Sequence, residues 1–554
     1  MTRERVATTR RVAIGVAMFV AAVPAAAARA AITLPPVFGS HMVLQRDMPL
    51  PIWGTAAPGE AVKVTFRDQA KSATADAQGN WRVALDPLAA GGPDRLTVGM
   101  IVLEDVLVGE VWLGSGQSNM AIMVKQCPRD RELVSLAARG SDRLRMLRQE
   151  PAAGWERSTP ETNQAFSAQL FAFGCRLQDK LGVPVGLMVG AVGATPSGSW
   201  ITPEMLAADA DVQALIKQMA PAYDRAAYER QFEAERAAWM ARKAADEDEA
   251  RKVGNPAPRA APAPIRPAVS VGRPHGGGQV GDLFEKHIRP RAGYAIRGVL
   301  WDQGESGTRI AGVDQATLMP ALIRGWRRDW GQEFVFLYVQ KPSGEGTAWD
   351  LDDPLHAAAS KFVPQPTEVP PQFTPDLSWT EFRCQPRNNE RAIWEKHTPE
   401  LSYDLHLTIM KTPGTFMVTS TDLGEGVHPA LKSAYGRRGA DVALGAVYGA
   451  GSEIYGPLYA GHAADGPKIR VRFTHVGQGL AARHADRLQG FLIAGADKQF
   501  HWGDAEIDGD TVVVSCPRVP APLAVRYAWA PRFPWANLFN KDGLPAQPFR
   551  TDDW

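Results

Sequence analysis

Residues 106–120 read VLVGEVWLGSGQSNM, and this stretch decides the fold. It is apolar and β-prone up to Leu113 and then changes to small and polar residues, which predicts a buried strand that ends in a tight turn carrying Ser118. A serine hydroxyl in such a turn is a candidate nucleophile when a base lies within hydrogen-bond reach. Residue 120 is Met120, so the turn lacks the second glycine of a G-x-S-x-G elbow. The structural alternative is that Ser118 caps a helix.

The bulk composition is that of a globular protein with more than one domain. The chain has 554 residues, of which 45% are hydrophobic and 22% charged, and this length predicts two to four domains. The 61 basic and 60 acidic residues leave a formal charge of +1. Because basic residues are not in excess and form no long stripe, we expect no nucleic-acid partner and no membrane-surface binding.

The first 30 residues have the pattern of an export signal. Four arginines, Arg3, Arg5, Arg10 and Arg11, precede an apolar run and a small-residue end at Ala28-Arg29-Ala30. This order is typical of a cleaved signal peptide, and the run is too short to span a membrane. We expect a periplasmic or secreted protein, exported by either the general or the twin-arginine route and without membrane insertion after cleavage.

Cysteine and histidine spacing does not indicate a metal. The four cysteines, Cys127, Cys175, Cys384 and Cys516, form no C-x-x-C motif. Four cysteines allow three complete disulfide pairings, and the sequence does not choose among them. No cysteine or histidine pair has zinc-ligand spacing, so neither a metal nor another cofactor is expected.

Changes in hydrophobic period divide the chain into segments. Residues 31–105 contain short strands between Gly, Pro, Asp and Asn residues and predict an N-terminal β module. Residues 106–450 alternate strand and helix patterns and predict an α/β domain with a mainly parallel sheet. Within them, 220–285 is predicted as an inserted helical arm with a Pro/Gly-rich linker. Residues 451–554 return to strands and predict a C-terminal β domain.

Two further segments carry polar residues that are candidates for a catalytic site. Residues 301–307, WDQGESG, follow a predicted strand, and open α/β sheets bind ligands at the carboxyl edge of their strands. Residues 422–429, DLGEGVHP, place His428 in a glycine-rich loop before a predicted helix. A lone histidine is more often structural, but this one has Glu425 three residues upstream.

Together these segments resemble the sialate O-acetylesterase family of the SGNH-type hydrolase superfamily. The shared motifs are G-Q-S-N-M at 116–120, W-x-Q-G-E-S at 301–306, and H-P-x-x-K at 428–432 with G-R-R at 436–438. The resemblance implies an SGNH-hydrolase-like three-layer domain flanked by sandwich- or jelly-roll-like β segments. It implies a serine carboxylic-ester hydrolase that removes O-acetyl groups from sugars, either sialates or plant polysaccharide fragments derived from xylan or xyloglucan.

The resemblance also implies residue roles. Ser118 would be the nucleophile, His428 the base and Glu425 its orienting acid, with Asp422 or a backbone carbonyl as alternatives. The oxyanion donors would be the backbone N–H groups of Ser118 and Gly193 and the side chain of Gln303. The residues expected to support them are Gln117, Asn119, Glu305 and Asp422.

The chain departs from the family pattern at three positions. It has Asp302 where a tyrosine is usual, and Gly198 and Gly426 where acids are usual. A second hypothesis is therefore a non-catalytic carbohydrate-binding protein with a decayed hydrolase domain. A sialate carboxylate would need an arginine clamp, for which the candidates are Arg324, Arg327, Arg328 and Arg383.

Overall fold

The structure is a computed structural model of the chain. It describes residues 31–150, 154–219, 225–253, 280–304, 307–308, 310, 313–341, 346–353, 361–369, 404–424, 428–530 and 532–554. The predicted signal segment and most of the Pro/Gly-rich linker therefore lie outside the described residues, as do Cys384, Arg383, Glu305 and Glu425.

The N-terminal region forms short strands, as the sequence predicts. β3, β4 and β6 pair in antiparallel fashion, β2 pairs with β5, and β1 runs parallel to β7. The alternate residues of β5 are buried, because successive side chains of a strand point to opposite faces. The bounds are β1 Val43–Gln45, β2 Leu50–Thr55, β3 Ala61–Phe66, β4 Gln69–Thr74, β5 Asn80–Leu85 and β6 Gly91–Val98.

Strand β7, Ile101–Gly116, joins this region to the α/β region. Its first half pairs with β6 and β1, and its second half pairs with β10 and β11. The predicted boundary between residues 105 and 106 lies inside this continuous strand. The predicted domain limits themselves stay predictions.

The prediction of a mainly parallel sheet is confirmed. The strand order is β13-β12-β11-β7-β10-β8-β9, in which only the edge strand β9 is antiparallel. β7 thus has parallel partners on both sides. The remaining bounds are β8 Ser141–Leu147, β9 Trp155–Ser158, β10 Val185–Ala191, β11 Gly298–Asp302, β12 Val335–Val339 and β13 Thr415–Val418.

Helices cover both faces of this sheet. In β11, Val299 and Trp301 contribute to one hydrophobic core while Leu300 contributes to the other. This alternation is why the strands read as continuous apolar runs, since both faces are buried. Within the described residues, the α-helices are α1 Ser118–Ala121, α2 Arg131–Ala137, α3 Pro160–Asn163, α4 Ala168–Leu181, α5 Pro203–Ala208, α6 Ala210–Met219, α7 Arg225–Val253, α8 Gln315–Trp330, α9 Asp404–Met410 and α10 Lys432–Ala446.

The C-terminal strands form small antiparallel sheets. One has the order β14-β15-β20-β19, another β18-β17-β21-β23, and β16 pairs with β22. Their bounds are β14 Leu458–Asp465, β15 Lys468–Thr474, β16 Leu480–Ala482, β17 Phe491–Ala494, β18 His501–Trp502, β19 Asp504–Asp508, β20 Thr511–Ser515, β21 Ala524–Tyr527, β22 Leu538–Asn540 and β23 Phe549–Arg550.

The predicted helical arm contains helix α7. Its charged residues form spaced pairs on the surface, such as Lys252 with Asp248 at 2.7 Å, which is typical of a solvated helix. Within the described part of the chain, no helix is both long and apolar enough to cross a membrane.

The end of β7 is held tightly between its neighbours. Gly116 has a φ of +123°, and a Cβ built on it would lie 2.2 Å from the Asp302 carbonyl oxygen. The Gln117 N–H donates to that oxygen at 2.8 Å, and the Val192 N–H donates to the Gly116 carbonyl at 3.1 Å. Only glycine fits here, because any side chain would separate β7 from β11.

We expect Gly116→Ala to lower the melting temperature strongly, because the new methyl group cannot avoid the Asp302 backbone. The matched control is Gly182→Ala, at the end of α4, where φ is +63° but no atom lies within 4 Å of the place that a methyl group would occupy. Left-handed strain alone costs about 1 kcal/mol there. Differential scanning fluorimetry on both variants compares the two effects, and equal shifts would contradict the proposed steric cause.

Candidate active site

Ser118 is the first residue of α1, directly after the β7 turn. Gln117 is the N-cap of this short helix and makes no side-chain capping bond, so Ser118 does not have the capping role of the structural alternative. The serine is partly exposed, whereas its neighbours Gln117 and Asn119 are buried. The turn thus presents the hydroxyl at the carboxyl edge of the parallel sheet.

His428 meets this hydroxyl from a loop 310 residues further along the chain. Its Nε2 atom lies 2.8 Å from Ser118 Oγ, and the histidine is exposed. This distance is within the range in which an imidazole can accept a hydroxyl proton. Nucleophile and base candidates that are far apart in sequence are therefore in hydrogen-bond contact.

Gly193 borders Ser118 from the end of β10. A Cβ placed on Gly193 would lie 3.5 Å from Ser118 Cβ. The next residue, Ala194, adopts a left-handed φ of +59°, a conformation that costs a non-glycine residue free energy. The β10 turn therefore brings its backbone close to the nucleophile candidate.

Gln303 follows β11 and is 4% exposed. Its Nε2 donates to the carbonyls of Thr195 and Gly307 at 3.4 and 3.3 Å, and its Oε1 accepts from Gln315 Nε2 at 3.0 Å. The amide nitrogen thus faces the β10 turn next to Ser118. Three predicted site residues therefore follow the carboxyl ends of three strands: Ser118 follows β7, Gly193 follows β10 and Gln303 follows β11.

The loop that carries His428 is anchored before and after the histidine. Asp422 is fully buried and forms a two-pronged ion pair with Arg438, with contacts of 2.8 and 3.2 Å. After the loop, Lys432 Nζ donates to Asn119 Oδ1 at 2.6 Å. Glu425, the predicted orienting acid, lies between these anchors and outside the described residues.

A buried ion pair that sequence reasoning missed lies beneath the site. Lys341, just after β12, has its Nζ 2.7 Å from Asp302 Oδ1, and both side chains are almost fully buried. His406 is bonded through Nε2 to the Lys341 carbonyl at 2.6 Å, and its burial lowers its pKa to about 4. Asp302, the last residue of β11, therefore holds that strand to the segment that follows β12, and the only sequence signal was a charged residue near the carboxyl end of each apolar run.

Two of the described cysteines, Cys127 and Cys175, do not provide an alternative nucleophile. Cys127, Cys175 and Cys516 are free thiols. Burial raises the pKa of Cys127, and it raises that of Cys175 to about 12, so neither thiol supplies a thiolate near neutral pH. Among the described residues, no group of three or more His, Cys, Asp or Glu side chains has the arrangement of a metal site.

A polar cleft lies beside the histidine loop, which we call the α10 cleft. Its volume is about 290 Å³. It is lined by Leu423 and Ala434, by Trp349, Asp350 and Asp353 from the loop after β12, by Arg437, Arg438 and Asp441 of α10, and by Asp542, Gly543 and Leu544 of the C-terminal region. The two arginines lie beside carboxylates, Arg437 at 3.6 Å from Asp353 and Arg438 in its pair with Asp422.

Three arginines considered for a carboxylate clamp are engaged along α8. Arg324 pairs with Asp209 and Asp211, and Arg328 lies 3.1 Å from Asp329. Arg327 is buried and donates to the carbonyls of Phe334, Pro413 and Gly414. The three arginines follow Gln315, the residue that contacts Gln303, by nine to thirteen residues. This separation places them roughly 14–20 Å further along the helix.

Comparisons with known proteins agree with the motifs. No family model matches the chain. The human sialate O-acetylesterase is 28% identical over 322 residues, and that of Pongo abelii is 27% identical over the same length. These alignments cover 52% of this chain and 51% of each relative, so the chain spans about half the length of the curated relatives it matches.

A solved structure matches almost the whole chain. A carbohydrate acetylesterase from Xanthomonas citri is 27% identical, with a TM-score of 0.65, and the match covers 95% of this chain and 100% of that one. The resemblance to the sialate O-acetylesterase family is thereby confirmed.

Proposed function

We propose that this chain is a carbohydrate esterase that hydrolyses O-acetyl groups from sugars through a Ser118 acetyl-enzyme. The observation that carries the proposal is the 2.8 Å contact between Ser118 Oγ and His428 Nε2. Names of its relatives support the reaction class, since they are sialate O-acetylesterases and a carbohydrate acetylesterase. We propose an SGNH-hydrolase-like catalytic domain and, from residues 1–30, export from the cytoplasm.

In the proposed first step, Ser118 Oγ attacks the acetyl carbonyl while His428 Nε2 takes the hydroxyl proton. Negative charge then develops on the acetyl oxygen. The backbone N–H groups of Ser118 and Gly193 and the amide of Gln303 would donate to it, and a donor of this kind is worth roughly 3–4 kcal/mol in the barrier.

In the second half of the reaction, the imidazolium of His428 returns its proton to the sugar oxygen, and the sugar leaves as an alcohol. Water then attacks the acetyl-enzyme with His428 again as the base, which releases acetate and regenerates Ser118. No cofactor is needed, because the reaction involves only acyl and proton transfer.

Ser118→Ala and His428→Ala should each reduce kcat on p-nitrophenyl acetate by at least about 10⁴-fold, and the double variant should be little worse than either single one. The reason is that the two groups act as one unit in each proton transfer. Initial rates and melting temperatures should be measured together. Full activity in Ser118→Ala would remove the assignment.

We propose that Glu425 orients His428 and that Asp422 stabilises the folded structure instead. The D-x-x-H-like spacing and the flanking Gly424 and Gly426 support this assignment. Asp422 is already occupied by its buried pair with Arg438. The two carboxylates are therefore assigned different tasks, although they are three residues apart.

The two isosteric variants should differ in the property that each impairs more, which is kcat/KM for one and the melting temperature for the other. Glu425→Gln should lower kcat/KM by about 10²-fold or more, because the histidine loses the partner that fixes its tautomer. Asp422→Asn should lower kcat/KM less than Glu425→Gln does, but it should lower the melting temperature more. The reason is that it leaves the buried Arg438 guanidinium without its counter-charge. If Glu425→Gln stays within about twofold of the wild type, another group orients His428 and the pair works as a dyad.

For the substrate, we propose a neutral O-acetylated oligosaccharide in preference to a sialate. The α10 cleft carries four aspartates and two arginines, and both arginines lie beside carboxylates. A net negative cleft repels an anionic sugar and tolerates neutral hydroxyl groups. The engaged arginines of α8 support the same preference.

At low ionic strength, kcat/KM for acetylated xylo-oligosaccharides should exceed that for an O-acetyl sialate by at least about tenfold. The ratio should shrink as salt is added, since salt screens the repulsion. Trp349→Ala should raise KM for the oligosaccharide while p-nitrophenyl acetate turnover stays unchanged. A preference for the sialate would contradict the proposal, and binding of acetylated sugar without any turnover would favour the non-catalytic hypothesis.

A further inference from the structure

The amide of Gln303 is part of a side-chain relay that no motif indicated. Ser197 Oγ lies 2.7 Å from Gln315 Oε1, and Gln315 Nε2 donates to Gln303 Oε1 at 3.0 Å. All three side chains are buried, with exposed fractions of 0% for Ser197, 8% for Gln315 and 4% for Gln303. Buried polar groups in such a relay constrain one another, because an unpaired one would be costly.

We propose that Gln315 is a positioning residue that fixes the Gln303 amide with its nitrogen, rather than its oxygen, toward the β10 turn beside Ser118. This inference rests on the proposed function. The Ser197 hydroxyl has two acceptors within reach, Gln315 Oε1 at 2.7 Å and the Gly307 carbonyl at 3.1 Å. Donation along the shorter contact places the Gln315 oxygen toward Ser197, so the Gln315 amide nitrogen faces Gln303. A donor from Gln315 requires an acceptor, and Gln303 can offer only its Oε1 atom on that side.

The other side of the Gln303 amide agrees with this orientation. Its Nε2 faces two backbone carbonyls, those of Thr195 and Gly307, at 3.4 and 3.3 Å. These contacts are long and therefore weak, so the amide can give a hydrogen to a negatively charged oxygen, which is a stronger acceptor. A flipped amide would present its oxygen to the same carbonyls and to the developing oxyanion.

Gln315 is itself held rigidly. It is the first residue of α8, whose N-cap Asp314 accepts from the Thr317 N–H at 2.7 Å. Ser197 is held by its own N–H, which donates to the Gly307 carbonyl at 3.0 Å. The relay therefore connects the start of α8 to the end of β11 through groups with fixed backbones.

The test compares Gln315→Glu with Gln315→Met. Gln315→Met removes the donor to Gln303 and should lower kcat on p-nitrophenyl acetate by about tenfold without raising KM, because an oxyanion donor is loosened rather than deleted. Gln315→Glu places a carboxylate against Gln303 Oε1 and should lower kcat by about 10²-fold at pH 8. Its rate relative to the wild type should rise as the pH falls, since a protonated carboxyl can donate to Gln303.

A double-mutant cycle with Gln303→Met shows whether Gln315 acts through Gln303. The double variant Gln303→Met/Gln315→Glu should be no slower than Gln303→Met alone, whereas independent effects would multiply. The control is Gln332→Glu. The Gln332 amide contacts the Ile296 backbone just before the amino end of β11, at the other end of the strand from Gln303. The kcat and pH profile of this control should match those of the wild type. If Gln315→Glu does not fold, the same cycle is measured with Gln315→Met.

The positioning role would be overturned if the kcat effects of the Gln303 and Gln315 variants multiply in the double variant. It would also be overturned if both Gln315 variants lose the same factor in kcat at every pH. Wild-type enzyme without esterase activity would instead overturn the proposed function, and with it this inference. The two failures are distinguishable because the second is visible before any Gln315 variant is made.

Discussion

The close contact between the end of β7 and the backbone of Asp302 is the constraint on which the site depends. Gly116 has no side chain, so β7 and β11 approach until the Asp302 carbonyl accepts the Gln117 N–H at 2.8 Å. On the other side, Ser115 Oγ donates to the Gly190 carbonyl at 2.7 Å and ties β7 to β10. Because the turn is held by both neighbouring strands, Ser118 leaves the sheet at one fixed place and direction.

Much of this arrangement could be predicted from local sequence, and the reasons are physical. Strands buried on both faces read as apolar runs, and each such run that ends in small polar residues marks a carboxyl edge, as at Ser118 and Gln303. The pair of Asp302 and Lys341 could not be predicted, because nothing local says that two charges on different strands will meet. The relay from Ser197 to Gln315 was missed for the same reason. The arginines of α8 were predicted wrongly for the opposite reason. Their residue type suggested a carboxylate clamp, but they bind carboxylates and backbone carbonyls along α8, away from Ser118.

The histidine loop shows how distant anchors can define a short distance. Asp422 is fixed to Arg438 before the loop, and Lys432 is fixed to Asn119 after it. Ser433 adds a further bond, because its hydroxyl donates to Asp130 at 2.7 Å. Both ends of the loop are therefore attached to elements that also hold α1. The contact between His428 and Ser118 follows from these buried bonds, which hold both ends of the loop that carries the histidine.

Exposure differs sharply across the site, and this difference suits an acetyl group on a large sugar. His428 is exposed and Ser118 is partly exposed, while Gln303 and Asn119 are almost completely buried. Hydrogen bonds to a developing charge are stronger where water is excluded, so the buried side is where an oxyanion gains most. We propose that the small acetyl group reaches that side while the larger sugar remains on the exposed side with His428. Under the proposed function, the rigid sheet edge stabilises the acyl oxygen and the surface around α10 selects the sugar.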